Sequence, residues 1–182
     1  MRIARQLALL LVIVSLGIAS RASAQSPRRL LLQGYGAFVP TSGGLALSDG
    51  FAAGGSVGIM PVSHLWLLGS ANYAWYRGAD DLPDWESAAY YGMLGYSPVP
   101  VGMNGLMIFY VGAGSVSFKP QFSELPSEKH FAVNGGIKLV YDFSRHVAGT
   151  VDVGAAVAFA DEDYAGGDVW TYPLGLGLAL RF

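Results

Sequence analysis

The sequence predicts an all-β fold, an eight-stranded antiparallel up-and-down barrel that crosses a membrane with its strands. Hydrophobic types make up 52% of the 182 residues and charged types only 13%, which is too apolar for a surface that meets water everywhere. After the first two dozen residues, no uncharged apolar run reaches the roughly 18 residues that a spanning helix needs. A closed barrel is the remaining way to pair every backbone N–H and C=O inside a bilayer.

The amino terminus has the features of an export signal. A start with two arginines and a short apolar stretch precede the small residues Ala22-Ser23-Ala24, which fit a cleavage site. We therefore predict a cleaved signal peptide over residues 1–24 and a barrel domain over residues 25–182. An uncleaved membrane anchor is the alternative, and the shortness of the apolar stretch disfavours it.

Clusters of Gly, Pro, Asp, Ser and Asn separate eight segments with period-2 alternation, as in consecutive hairpins. The predicted strands are 30–39, 51–60, 64–76, 88–97, 106–118, 130–141, 146–159 and 169–182. The clear strands run for about 12 to 14 residues, whereas strands of soluble proteins usually have about 5 to 6. This length favours a membrane barrel over a soluble one.

Each clear strand carries large apolar residues on one side and small or polar residues on the other. In the last strand Leu174, Leu176, Leu178 and Leu180 share the side that we expect to face lipid. Glycines blur the pattern of the first two strands, whose faces stay unassigned. Aromatic residues gather near strand ends and predict two interfacial belts. One belt comprises Trp75, Tyr76, Tyr90, Tyr91, Phe118, Phe131, Phe159, Trp170 and Tyr172, and the other Trp66, Tyr96, Tyr141, Phe143 and Phe182.

The opposite side of the strands predicts a polar lumen. Its candidate residues are Asn72, Asn134, Lys138, Thr150, Asp152 and Arg181, with Asp142 at a turn. Because the interior of an eight-stranded barrel is just wide enough for side chains to fill, we expect an internal network of salt bridges and hydrogen bonds in place of a hydrophobic core. A pore lining is the alternative. A hairpin turn centred on Ser144 would set Lys138 opposite Thr150 and diagonal to Asp152.

Alternating connection lengths orient the barrel. The turns Met60–His64, Ser97–Gly105 and Asp142–His146 lie at the end with both termini. The remaining connections are expected to face outward, because extracellular loops are the longer ones in such barrels. They are Pro40–Gly50, Arg77–Glu86, Lys119–Lys129 and Ala160–Asp168. A host or surface ligand would bind these loops. In the second loop, Trp85 is either such a contact or, more in keeping with its type, an interfacial anchor.

Four stretches resemble the OmpA/OmpX-like superfamily of small outer-membrane β-barrels. They are Gly34-Tyr35-Gly36-Ala37-Phe38-Val39-Pro40, Phe109-Tyr110-Val111-Gly112-Ala113-Gly114, Gly135-Gly136-Ile137-Lys138-Leu139 and Leu176-Gly177-Leu178-Ala179-Leu180-Arg181-Phe182. In the last stretch Leu176, Leu178, Leu180 and Phe182 resemble the signal that the outer-membrane barrel assembly machinery recognises. The resemblance implies a location in the outer membrane of a Gram-negative bacterium, in contact with membrane lipid and lipopolysaccharide.

The residue pattern offers little for catalysis. Outer-membrane lipid A deacylases pair a His with a Ser two residues further along a strand. Two residues after His64, His130 and His146 stand Trp66, Ala132 and Ala148. We therefore predict no enzymatic activity.

No cofactor or metal is predicted either. The acidic groups Asp80-Asp81 and Asp161-Glu162-Asp163 lack the ligand spacing of a calcium motif, and the chain has no cysteine for a thiolate site. A net charge of −2 gives no electrostatic footprint for nucleic acid.

The expected role is therefore structural or adhesin-like surface interaction. Two alternatives stay open. One is a narrow, porin-like pore that conducts ions, and the other is a soluble periplasmic barrel of lipocalin type that binds lipid.

Overall fold

A computed structural model describes residues 29–43, 47–78, 83–98, 105–121, 127–160 and 167–182. The predicted signal peptide, residues 1–24, lies outside these ranges and its cleavage stays a prediction. The strands are β1 Leu30–Val39, β2 Thr41–Gly43, β3 Leu47–Val62, β4 Leu65–Gly78, β5 Trp85–Tyr96, β6 Gly105–Pro120, β7 Glu128–Asp142, β8 Val147–Phe159, β9 Val169–Thr171 and β10 Leu174–Arg181. Across the described residues no helix is long and apolar enough to cross a membrane.

The strands form one closed antiparallel sheet. Each long strand pairs with its neighbour in sequence, and β10 pairs with both β8 and β1. Two backbone bonds join the ends of the described chain, from Leu30 N to Phe182 O at 2.9 Å and from Phe182 N to Leu30 O at 3.0 Å. β10 and each long strand thus have partners on both sides, which is what the interior of a bilayer demands of a sheet. The predicted antiparallel barrel is confirmed.

The ten strands of the described residues make up eight walls of the barrel, each wall being one full-length barrel strand. Prolines interrupt two of these walls. Pro40 separates β1 from β2, and Pro173 separates β9 from β10. Proline has no N–H to give to the ladder. Their carbonyls nevertheless accept bonds from the neighbouring wall, from Tyr172 N to Pro40 O at 2.9 Å and from Gly154 N to Pro173 O at 3.1 Å. Pairing therefore resumes between β2 and β9 beyond the breaks.

Several strands run further into the predicted outer loops than the sequence pattern indicated. β3 begins at Leu47 and not at Phe51, and β5 begins at Trp85 and not at Ala88. Gly50, expected in an outer loop, lies inside β3 opposite Tyr76. Turn residues such as Gly and Asp at these positions suggested loops, but continued pairing with the next strand outweighs that local preference.

The outer wall of the barrel is apolar. Leu176 and Leu178 expose 66% and 64% of their surface, while Ala179 between Leu178 and Leu180 exposes 2%. The first strands, left unassigned by the sequence, follow the same rule: Leu31 and Gln33 point into the lumen, and Phe51 points outward. The alternation is thus continuous around the ring.

The aromatic belts are partly wrong. Four of the residues assigned to them lie on the lumen side, with Trp66, Tyr76 and Phe118 buried and Tyr91 partly buried. Outward and inward side chains alternate along each strand, and these four residues occupy inward positions. The clustering of aromatic residues near strand ends concealed their orientation. The outward aromatics pair across strands, as in Phe131 stacked on Phe159 at 6.0 Å and Phe38 against Phe51 at 5.6 Å.

Leu178→Arg should destabilise the folded barrel by about 2 to 4 kcal/mol, the cost of an arginine on the lipid face near the middle of the membrane. Ser63→Arg is the matched control, because Ser63 is exposed in the turn between β3 and β4. Equilibrium unfolding by urea from lipid vesicles measures both. Equal losses for the two variants would contradict the assignment of the faces.

Gly50→Arg, which the loop assignment predicted to cost little, should instead destabilise the barrel strongly. A Cβ at Gly50 would lie 2.4 Å from Trp75 O and 2.5 Å from Tyr76 Cδ1, so any side chain there requires the neighbouring strand to move. The same unfolding experiment tests this. A free energy of unfolding equal to that of the unchanged protein would show that Gly50 lies in a loop and not in β3.

The candidate site is the barrel lumen

The lumen has three layers along the barrel axis. Toward the loop end lies the outer cluster, made of Ala37, Val39, Ala74, Tyr76, Ala89, Val116, Phe118, Ala132, Ala158 and Val169. Toward the termini lies the inner cluster, made of Leu31, Trp66, Leu68, Met93, Ile108, Val140, Ala148 and Ala179. Between them lies the polar layer, formed by Gln33, Ser56, Lys138, Thr150 and Asp152. The lumen is therefore polar in part, and hydrophobic side chains fill much of the rest.

Gln33 is the centre of the polar layer. Its amide nitrogen donates to Thr150 Oγ1 at 2.8 Å and to Asp152 Oδ2 at 2.7 Å. Its carbonyl oxygen accepts from Ser56 Oγ at 2.8 Å and from Lys138 Nζ. A single amide side chain thus links residues of four strands, β1, β3, β7 and β8.

Lys138 and Asp152 form a buried ion pair. Lys138 Nζ lies 2.9 Å from Asp152 Oδ2, and their side chains expose 7% and 15% of their surface. Such a pair persists in a dry interior only when further hydrogen bonds satisfy its remaining donors and acceptors. Gln33 supplies one of these bonds to each partner.

The register around this pair differs from the prediction. Lys138 faces Asp152 directly, and Thr150 faces Val140. The hairpin is therefore centred on Arg145 and not on Ser144. A shift of one residue in the centre of the turn moves the pairing by two residues and leaves every side chain on its face. The predicted ion pair forms as a direct cross-strand pair.

The six residues predicted to form the lumen network do not form one network. Lys138, Thr150 and Asp152 join the polar layer. Arg181 lies below it and pairs separately with Asp142, from Nη1 to Oδ2 at 2.7 Å. The two asparagines of the set line the space above the polar layer. Asn134 Nδ2 donates there to Met93 Sδ at 3.4 Å.

Sequence reasoning missed Gln33 and Ser56 because it left the faces of the first two strands open. The sequence did contain a signal for the inward side of this strand. Gln33 and Tyr35 are the only polar side chains in the stretch Leu30–Val39, and because they are two residues apart they lie on the same side. Gly177 also belongs to the site. A Cβ there would lie 2.9 Å from Thr150 Oγ1 and 2.8 Å from Tyr35 Cβ, so the absent side chain makes room for the polar layer.

An unfilled chamber lies between the polar layer and the outer cluster. It has a volume of about 100 Å³, and its floor includes Lys138, Asp152 and Asn134. Alanines line much of its wall. Small residues leave this space, because they occupy inward positions that larger ones could fill.

The inner cluster closes the lumen on the side of the termini. Leu31 and Ile108 have no exposed surface, and Trp66 exposes 1%. Trp66 is further held by a bond from Nε1 to Ser97 Oγ at 3.3 Å. In the described part of the chain these packed side chains separate the chamber from the turn end.

The histidines lie at the two ends of the barrel. His64 Nδ1 lies 2.7 Å from Ser97 O, and His146 Nδ1 lies 3.2 Å from Arg181 O. Both rings lie within hydrogen-bonding distance of backbone carbonyls. His130 is buried beside Phe118, with ring centroids 6.2 Å apart. Among the residues that the structure describes, no group of three His, Cys, Asp or Glu could hold a metal ion.

The predicted loop contacts are mostly outside the described residues. This holds for Asp80-Asp81 and for Asp161-Glu162-Asp163. Trp85 is described, and it packs partly buried against the outer cluster. It is therefore neither an exposed contact nor an interfacial anchor, because its side chain points into the lumen at the top of β5.

Lys138→Met should cost about 3 to 5 kcal/mol of folding free energy, since it leaves the Asp152 carboxylate buried without its cation. The double change Lys138→Met with Asp152→Leu should recover most of that loss, because no unpaired charge remains. Urea unfolding of the three proteins in lipid vesicles measures the difference. A double variant at least as unstable as the single one would show that the ion pair itself stabilises the barrel.

No family model and no curated protein matches the sequence. Solved structures match the fold. Neisserial surface protein A is 12% identical with a TM-score of 0.67, over 84% of this chain and 97% of that one. The outer membrane enzyme PagL is 17% identical with a TM-score of 0.58, over 80% and 97%.

Ail, the attachment invasion locus protein of Yersinia pestis, in complex with the heparin analogue sucrose octasulfate, is 16% identical with a TM-score of 0.51, over 85% and 98%. These neighbours are outer-membrane β-barrel proteins of Gram-negative bacteria. The chain accordingly shares the eight-stranded antiparallel barrel fold of these solved structures.

Proposed function

We propose that the protein is an integral outer-membrane barrel with a structural or surface-interaction role and no catalytic activity. The observation that carries this proposal is the closed ring of strands with an apolar outer wall. Leu174, Leu176 and Leu178 expose 51%, 66% and 64% of their surface to the outside. In water this wall would be an aggregation site, whereas acyl chains cover it at no cost.

The same wall argues against a soluble barrel of lipocalin type. A soluble barrel turns its large hydrophobic side chains inward and its charges outward. Here Lys138 and Asp152 are in the lumen and the leucines of β10 are outside. The opposite arrangement supports contact with membrane lipid and, in the outer leaflet, with lipopolysaccharide.

The inner cluster argues against an ion-conducting pore. A hydrated ion needs a continuous polar path, but the lumen below the polar layer is packed with Trp66, Leu31 and Ile108. Moving an ion through this layer would require its dehydration among apolar side chains. We therefore expect no conductance from the resting barrel.

Catalysis of the kind that the neighbour PagL represents is also unsupported. An activated nucleophile needs a base within hydrogen-bonding reach, and the rings of His64 and His146 bond to backbone carbonyls instead. Two residues after His130 stands Ala132. The proposal without catalysis rests on these three environments.

A surface-interaction role would place ligand contacts on the outward loops. The neighbour Ail is an attachment protein described with a heparin analogue, and this chain shares its barrel and not its sequence. We propose that the outer loops contact a host or surface ligand, with the barrel serving as their rigid support.

The carboxyl-terminal residues would direct assembly. Leu176, Leu178 and Leu180 face outward in β10, where a folding factor could contact them before the ring closes. Phe182 closes the ring through its backbone bonds to Leu30 and stacks on His146 at 5.6 Å. We propose that these four residues are read by the barrel assembly machinery.

Expression of the full chain tests the location. We expect the protein in the outer-membrane fraction, soluble only with detergent, and its loops labelled by a membrane-impermeant reagent on whole cells. Recovery as a soluble periplasmic protein would overturn the proposal. Planar-bilayer recording should show no reproducible conductance, and stable unitary currents would replace the structural role with that of a pore.

Phe182→Ala keeps the backbone bonds to Leu30 and should lower the amount of folded barrel in the outer membrane severalfold, while refolding into lipid vesicles without any cellular factor changes much less. Phe143→Ala is the control, since this exposed ring lies at the same end of the barrel. Equal losses in cells and in vesicles would show that Phe182 acts through stability and not through recognition.

A further inference from the structure

The chamber above the polar layer has the features of a binding site for a small ligand. Six inward positions around it carry only a methyl group, on β1, β3, β4, β5 and β8: Ala37, Ala52, Ala74, Ala89, Ala156 and Ala158. One level further in, inward positions carry Trp66, Leu31 and Ile108, which leave no comparable space. Because the same ring of strands surrounds both levels, the difference in space between them comes from the size of the inward side chains.

A void of this kind is costly unless something occupies it, because its lining loses van der Waals contacts. The chamber of about 100 Å³ has room for about three water molecules at ~30 Å³ each. Water needs two to four polar partners per molecule. The lining offers some, among them Ser70, Asn72, Ser87 and Thr171, whereas the six alanines offer none. Water can therefore occupy part of the chamber, and an apolar group fits better against the alanines.

The floor contains an acceptor that the protein does not use. Asn134 Oδ1 is buried and has no hydrogen-bond partner among the described residues, while its Nδ2 donates to the weak acceptor Met93 Sδ at 3.4 Å. A buried unpaired amide oxygen costs about 1 to 3 kcal/mol. A ligand that donates one hydrogen bond at this point would remove that cost.

The charges at the floor indicate a neutral ligand. Lys138 and Asp152 neutralise each other at 2.9 Å, and Gln33 occupies a further site on both. A second ion in the chamber would be desolvated without a counter-charge. A neutral hydroxyl meets the requirement for a donor and avoids this penalty.

We propose that the chamber binds a compact neutral alcohol, with the hydrocarbon part against the alanine walls and the hydroxyl donating to Asn134 Oδ1. An apolar cavity of about 150 Å³ holds a benzene molecule in another protein. The chamber here is smaller but partly open, so an alcohol of about four to five carbons fits it. This binding is independent of the surface role of the loops.

The test uses the protein in phospholipid nanodiscs and titrates it with cyclopentanol. Binding is read from the methyl signals of Ala89 and Ala158, which line the chamber. We expect saturable shifts with cyclopentanol and at least tenfold weaker binding of cyclopentanone, which has the same ring and no hydroxyl proton. Equal affinities for the two would overturn the role of Asn134 Oδ1.

Matched variants separate the chamber from the surrounding lipid. Ala74→Leu places three carbons in the chamber and should abolish the saturable shifts, whereas Ala71→Leu puts the same side chain on the lipid side of the same strand and should leave them unchanged. Ala156→Leu is a second filling variant should Ala74→Leu fail to fold. Shifts that grow linearly with alcohol, or that are equal in the filled and control variants, would show partitioning into lipid and overturn the proposal.

Asn134→Ala tests the acceptor itself. It should weaken cyclopentanol binding at least tenfold and leave cyclopentanone binding nearly unchanged, because only the alcohol uses the amide oxygen. Unaltered binding of cyclopentanol would overturn the proposed hydrogen bond.

Discussion

Closure of the backbone hydrogen-bond ring is the constraint on which the rest of this structure depends. An N–H or C=O without a partner in hydrocarbon costs several kcal/mol, so a sheet in a membrane has no tolerable free edge. The pairing of β10 with both β1 and β8 satisfies this condition. Once the ring is closed, each residue faces either lipid or lumen, and the alternation of the sequence follows from that choice.

The narrow ring of strands then limits which side chains can fill the lumen. Inward glycines such as Gly177 leave room for larger polar groups on the next strand. Lys138 and Asp152 are tolerable in this buried position because Gln33 hydrogen-bonds to both. The polar layer therefore fixes four strands relative to one another with directional bonds, whereas the apolar clusters on either side contribute through packing.

The architecture was predictable from the sequence to a large extent, and the contents of the lumen were not. Alternation in β10 identified the lipid side at Leu178, because a period of two is a strong signal where one face is uniformly large. It did not identify Gln33, since glycines obscured the parity of β1. Sequence reasoning also placed Trp66 on the outside of the barrel, because an aromatic ring near a strand end fits an interfacial belt and a packed core equally well. Which inward side chains meet across the ring depends on register, and a turn centred on Arg145 and not Ser144 changes the partner of Lys138.

The layering of the lumen gives the two ends of the barrel different capacities. At the turn end of the described barrel, Trp66 and its neighbours are buried and packed together. Toward the loop end, alanines such as Ala89 leave a chamber above an amide oxygen that has no hydrogen-bond partner among the described residues. If stability alone had shaped the interior, larger side chains at the alanine positions would have been the simple solution, as in the inner cluster. The asymmetry therefore places the capacity to bind a ligand at the end of the barrel that carries the loops.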